Sequence, residues 1–218
     1  MKKVLLFTLI AVLFASCSSD SGPKFELEVN INNNSSLIKK KFVVRQKIDG
    51  AVVYVDTFKI KKEQFLLKVP YKGTALMTIS IPESDVNEIM MVAEEGQIQL
   101  NIEGNQSHFG GTLLNDRLQA FYQGNDSISL LFRQIGEDYE MHSKAGSLTP
   151  QVRENLGQRR TQLLVENTDR IVAFIKENID NQIGEYYFMT HYITLPLERK
   201  IELNSFATEK LKREFGIR

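Results

Sequence analysis

Hydrophobic periodicity changes once along this 218-residue chain, at Gly110-Gly111, and that change constrains the fold more than any other feature. Before it, apolar residues recur at every second position. Phe25, Leu27, Val29 and Ile31 alternate with Glu26, Glu28 and Asn30, which is the pattern of a strand with one buried face. Asn32 to Ser36 reads as a turn, Lys41 to Lys47 as a second strand, and Asp49-Gly50 as a tight hairpin leading into a β-branched run from Ala51 to Phe58. Phe65, Leu67 and Val69 continue the alternation. Leu76 to Ile81 closes at Pro82, Ile89 to Ala93 is a short apolar run, and Ile98, Leu100 and Ile102 follow the Glu95-Gly96 turn. Short strands at regular spacing predict an antiparallel sandwich or open barrel over 25–112.

After Gly111 the spacing becomes three and four. Leu114, Leu118 and Phe121, then Ile128, Leu131, Phe132, Ile135 and Tyr139, form amphipathic helical stripes. Thr112 is placed to cap the first turn, and Gly124-Asn125-Asp126 is a candidate break. Thr149-Pro150 starts a long helix that runs to about Ile179. Shorter helices are expected over Ile183–Tyr192, from Pro196 onward, and from Thr208 to Phe215. The expected fold class is therefore α+β: a β-rich part over 25–112 followed by a helical part over 113–218 that packs on or beside it.

The first residues carry a separate signal. Met1-Lys2-Lys3 is basic, Val4 to Phe14 is apolar apart from Thr8, and Ala15-Ser16 are small. This is the pattern of a secretory signal peptide over 1–16, and its apolar stretch is too short for a permanent span. The only cysteine of the chain, Cys17, follows at once. Phe14-Ala15-Ser16-Cys17 resembles the lipobox of bacterial lipoproteins, in which the cysteine is acylated (with palmitate, for example) and becomes the mature N-terminus. That resemblance makes Cys17 the lipidation site and residues 17–24 a polar tether. It also places the protein in the cell envelope on a membrane, the outer membrane being favoured, with the periplasmic or surface face open. Several acyl chains anchor firmly where one anchors weakly.

The charge balance is zero, with 27 basic and 27 acidic residues, so there is no electrostatic footprint for nucleic acid. Removing Lys2 and Lys3 leaves 25 basic residues against 27 acidic ones, a formal −2. A single cysteine excludes an intramolecular disulfide, a CxxC centre and a cysteine-based zinc site within the chain.

Four local motifs resemble the domain of unknown function known as DUF4369. They are Phe25 to Val29, Val55-Asp56-Thr57-Phe58 with Gln64-Phe65, Glu94-Glu95-Gly96-Gln97-Ile98, and the junction Gly110-Gly111-Thr112-Leu113-Leu114-Asn115-Asp116. A family glycine is missing before Phe65. The resemblance implies a Bacteroidetes-type lipoprotein, similar to the N-terminal domain found ahead of thioredoxin-like domains of the thiol–disulfide reductase or peroxiredoxin kind. This chain carries no CxxC, so the resemblance supplies no catalytic residue.

The groups that could carry chemistry have plainer readings. His108, His142 and His191 are far apart, with no HExxH or H-x-H spacing, so no metal site is expected. Glu94-Glu95 point to opposite faces of a strand, and a solvated turn explains them. Gly110-Gly111-Thr112 before a helix could offer free N–H groups to an anion, but it has neither nucleotide-binding spacing. Lys39-Lys40-Lys41 with Lys59, Lys61 and Lys62 could touch anionic lipid, or could protect a sheet edge. Tyr186-Tyr187-Phe188-Met189 with His191-Tyr192 is the most unusual composition. Core packing is the favoured reading there, and Tyr186, Tyr187, His191 and Tyr192 are the candidate partner surface. The resulting expectation is a non-enzymatic binding or interaction module without cofactors, held on a membrane by Cys17 and meeting an envelope protein partner. The alternative is an accessory to a separately encoded thioredoxin-like oxidoreductase.

Overall fold

The computed structural model describes residues 23–71 and 73–217. The signal peptide expected over residues 1–16, and Cys17 with it, lie outside these residues. Eight strands come first: β1 (Lys24–Asn32), β2 (Lys41–Ile48), β3 (Ala51–Lys59), β4 (Gln64–Pro70), β5 (Ala75–Ser80), β6 (Ile89–Ala93), β7 (Gln97–Glu103) and β8 (Gln106–Gly110). They form two four-stranded sheets, ordered β4-β1-β7-β8 and β3-β2-β5-β6. The alternation seen in sequence becomes a buried face. Phe25, Leu27, Val29 and Ile31 of β1 share one core with Phe42, Val44, Met77 and Ile79 of the second sheet. Phe42 meets Phe65 edge-on across the layers, with ring centroids 5.6 Å apart. The β2–β3 turn uses positive φ at Asp49 and Gly50, as an Asp-Gly hairpin requires.

The expected all-antiparallel pairing holds in the second sheet and fails at one place in the first. β1 and β7 run parallel, from Glu26↔Gln97 to Asn32↔Glu103. The chain between them makes the whole second sheet and β4, which provides the crossover that parallel neighbours need. A period of two reads the same for either direction, so the pattern alone could not show this.

Five helices follow: α1 (Leu113–Lys144), α2 (Pro150–Glu177), α3 (Gln182–His191), α4 (Leu197–Asn204) and α5 (Glu209–Phe215). The architecture is α+β. None of the described helices is long and apolar enough to cross a membrane. α1 is unbroken over 32 residues, about 48 Å. The break expected at Gly124-Asn125-Asp126 does not occur, because α2 uses those residues. Arg170 lies where a Cβ on Gly124 would sit, donates to the Phe121 carbonyl at 3.0 Å and to Asn125 Oδ1, and stands over the Phe121 ring. α1 and α2 form an antiparallel hairpin. Its base joins the main core, whereas Ile128, Ile135, Leu156 and Leu163 further out make a small core of their own with Phe132 and Val152.

α1 enters at the open side of the sandwich, between the edge strands β6 and β8. Two buried amides one turn apart satisfy those edges. Asn115 accepts from Val92 N at 2.9 Å and donates to Val92 O at 2.8 Å, and Gln119 accepts from Phe109 N at 2.9 Å. Exposed edges invite pairing with other chains, and a helix laid along them removes that hazard. The start of β1, the β2–β3 turn and all the helix attachments share one end of the sandwich: Lys24 pairs with Pro70, Gln46 Nε2 donates to Pro70 O, and Lys210 of α5 reaches Asp49. The lysine-rich pairing Lys41↔Lys59 lies at the other end.

Candidate functional site

Tyr186, Tyr187, His191 and Tyr192 all lie on α3 or just after it, but they do not form one surface. Tyr187 is buried between α1 and α2, edge-on to Phe121 at 4.9 Å and to Phe174 at 5.2 Å. Its hydroxyl shares a hydrogen bond with Tyr122, and burial raises both phenols above their ordinary value. Tyr192 stacks on Phe188 at 4.7 Å, and its hydroxyl donates to Asn204 Oδ1 at 2.7 Å. His191 lies flat against Tyr187 at 5.6 Å. Tyr186 lines the cleft described below.

Burial lowers the His191 imidazolium below its ordinary range. The folded state therefore binds this proton less well than the unfolded chain. The stability it gives is complete above about pH 6.5 and is lost as pH falls through the lower folded value. Melting temperature should drop as pH falls below about 6.5, and the drop should be smaller in His191→Phe, which keeps the stacked ring. An equal drop in both proteins would remove His191 as the source.

The sheet-to-helix junction gathers the other candidates. Gly111 has φ +95°, and a Cβ there would lie 2.6 Å from the Gln97 carbonyl oxygen, so the turn into α1 needs glycine. Thr112 stands at the N-cap but does not accept from the helix backbone; its Oγ1 accepts from Asn115 Nδ2 at 2.8 Å. Glu94 does the capping instead. Its Oε1 accepts from Leu114 N at 2.9 Å and Asn115 N at 3.2 Å, while Asp116 Oδ1 accepts from Gly111 N at 2.8 Å. The Gly111, Leu114 and Asn115 N–H groups that an anion would use thus already bind the chain's own carboxylates.

The histidines stay apart. His108 Nδ1 is 3.4 Å from Gln119 Nε2, and His142 Nδ1 is 2.9 Å from Ser147 Oγ. Among the described residues no group of three His, Cys, Asp or Glu could hold a metal ion. Lys59, Lys61 and Lys62 border a shallow depression with Phe58, Phe65 and Leu67 at the end of the sandwich away from the helices.

The cleft beside Tyr186 encloses about 440 Å³ between the β2–β3 turn, β5, α3 and α5. Leu76, Tyr186 and Met189 give it apolar walls, and Lys47 and Lys210 stand at its rim. Lys210 Nζ is 2.5 Å from Asp49 and 2.9 Å from Glu185, and these hydrogen-bonded carboxylates push its ammonium up to about 12. Such a cleft is of a size to receive a small apolar group or side chain. Lys47, Leu76 and Lys210 come from three distant segments, so no local motif announces them.

Residues 25–118, a little under half of the chain, match the family model described as Domain of unknown function (DUF4369). The match starts in β1 and ends at Leu118 in the first turns of α1, so it covers the sandwich and its junction with the helices. No curated protein and no solved structure matches the chain.

Proposed function

We propose that the protein is a lipid-anchored component of the cell envelope, held by Cys17, whose folded part is a non-enzymatic binding module. The anchor reading rests on Phe14-Ala15-Ser16-Cys17 behind a basic and apolar leader. The binding reading is carried by one observation: Glu94, the carboxylate weighed for acid–base work, and its neighbour Asp116 are engaged by backbone N–H groups at the start of α1. The fold spends them on its own junction.

Covalent geometry bounds the attachment. The six peptide units from Cys17 to Pro23 reach at most about 22 Å. A chain anchored at Cys17 therefore keeps the helix-bearing end of the sandwich near the bilayer. The end with Lys41 and Lys59 lies about 27 Å along the sandwich from that attachment, the length of a nine-residue strand.

Growth on labelled palmitate tests the anchor. The native protein should take up label and sediment with membranes, and Cys17→Ala should lose the label and become soluble. A Cys17→Ala protein that stays in the membrane fraction overturns the reading. A second reading, an accessory to a separately encoded thioredoxin-like oxidoreductase, rests only on the motif resemblance described in the sequence analysis. Deleting the gene should then shift the redox state of envelope thiols; unchanged thiols would remove that reading.

A further inference from the structure

The α1–α2 hairpin has an open groove of about 790 Å³ along one side. Phe132, Ile135 and Leu156 form its floor. Tyr139, 44% exposed, lies on the same side, and Leu164, 50% exposed, follows Gly157 by two helical turns. This is apolar surface that the chain itself leaves open.

Glycines mark the groove as a place of close approach. Four glycines lie inside the described helices, and the fold accounts for two. Gly124 makes room for Arg170, and Gly184 makes room for the Asn178 carbonyl. Gly136 and Gly157 are different: a Cβ on either would meet nothing. Interior glycine weakens a helix, and within one chain these two give nothing back. Both line the groove, one on each helix. A surface pressed into it would use the space they leave.

The rim charges indicate what that surface is. Arg153 and Arg160 stand on α2, and neither makes an ion pair or side-chain hydrogen bond among the described residues. Across from them on α1, Glu140 is paired only with Lys144, at an exposed position. The groove is thus basic along one helix, acidic on the other and apolar between. Such a face complements itself. A two-fold axis parallel to the hairpin sets α1 of one copy against α2 of the other, so that Glu140 meets Arg153 twice and floor meets floor.

We propose that the groove is a dimer interface in which a second copy of the chain lays its own hairpin face to face, completing a four-helix bundle. The contact adds to the module reading and does not depend on the anchor. The hairpin beyond the main core is about 30 Å long and about 20 Å wide, so it can bury about 600 Å² on each copy. A total of about 1,200 Å² stands at the lower edge of specific interfaces, which suits a dimer that dissociates on dilution. Two-helix hairpins pair in this way in four-helix bundles.

Both sheets and all described helices lie within one continuous chain segment, so residues 23–218 carry the whole described fold. Sedimentation equilibrium on that segment across the micromolar range should give the mass of two chains, falling toward one on dilution. Gly157→Glu exchanges a helix-weakening residue for a helix former while filling and charging the groove. It should keep the helical circular dichroism and weaken the dimer at least tenfold, a change of about 1.4 kcal/mol. Glu140→Arg should weaken it too, and adding Arg153→Glu should restore it. A chain that stays monomeric throughout overturns the proposal and leaves the groove to a different protein. So does a dimer that neither Gly157→Glu nor the charge exchange alters.

Discussion

Replacing Asn115 by leucine is expected to lower the stability of the fold by about 3–4 kcal/mol, since each buried polar group left without a partner costs about 1–3 kcal/mol. Asn115 is fully buried at the foot of α1. Its amide serves both the N–H and the C=O of Val92, and it also donates to Thr112 Oγ1. Val92 lies in β6, an edge strand, so its outward backbone groups have no strand beyond them. Leucine has the same branched outline but is bulkier, and it offers neither donor nor acceptor. Two backbone groups and a hydroxyl would then be sealed under α1 without partners, and the shared outline does not help. For a domain of this length the loss corresponds to a fall in melting temperature of roughly 8–14 °C. Thermal and urea melts monitored by circular dichroism measure it. A loss under about 1 kcal/mol would show that water reaches Val92 and that α1 does not seal the edge.

That buried amide also shows where the sequence stops being readable. The strands are legible because Phe25, Leu27, Val29 and Ile31 alternate, and one buried face forces that pattern on any sheet. The direction of pairing is not, because alternation carries no sign for parallel or antiparallel. The Thr149-Pro150 helix start is legible because its cap is local: Thr149 Oγ1 accepts from Val152 N. The cap of α1 is not, because its acceptor is Glu94, twenty residues back on the far side of β7 and β8. Gly124 reads as a break from its neighbours alone. Only Arg170, arriving from α2, turns it into a packing contact.

The candidate site divides along the same line. The aromatic concentration from Tyr186 to Tyr192 is visible in one dimension. Which ring faces which layer depends on helix phase against three partners: Tyr187 turns to Phe121 and Phe174, Tyr192 to Phe188 and Phe215, and Tyr186 to the cleft. Lys210, Asp49 and Glu185 meet across 161 and 25 residues of sequence, and no spacing rule reaches that far.

Gly184→Ala is expected to cost about 3 kcal/mol, the upper range for forcing a single extra carbon into a packed site. On an exposed helix the same exchange is mildly favourable, because alanine is the better helix former. The sign reverses here because of what lies opposite. A Cβ on Gly184 would overlap the carbonyl group of Asn178, which is backbone and cannot swing aside. The loop holding that carbonyl is itself tied down. Asn178 is buried, its Nδ2 donates to Phe174 O at 2.9 Å, its carbonyl accepts from Asn181 N at 3.0 Å, and Asn181 Oδ1 caps α3 by accepting from Ile183 N and Gly184 N. α3 must therefore move, and Tyr187 and Phe188 move with it out of their aromatic stacks. The expected readouts are a melting temperature lower by roughly 6–12 °C and a weakened near-ultraviolet signal from the stacked tyrosines. Gly157→Ala is the internal control. On dilute, monomeric protein it should be neutral or stabilising by up to about 1 kcal/mol, since nothing in its own chain opposes the added methyl. If both alanines stabilised the protein alike, the close contact between Gly184 and Asn178 would not exist in solution, and the aromatic layer around Tyr187 would have to be held by some other constraint.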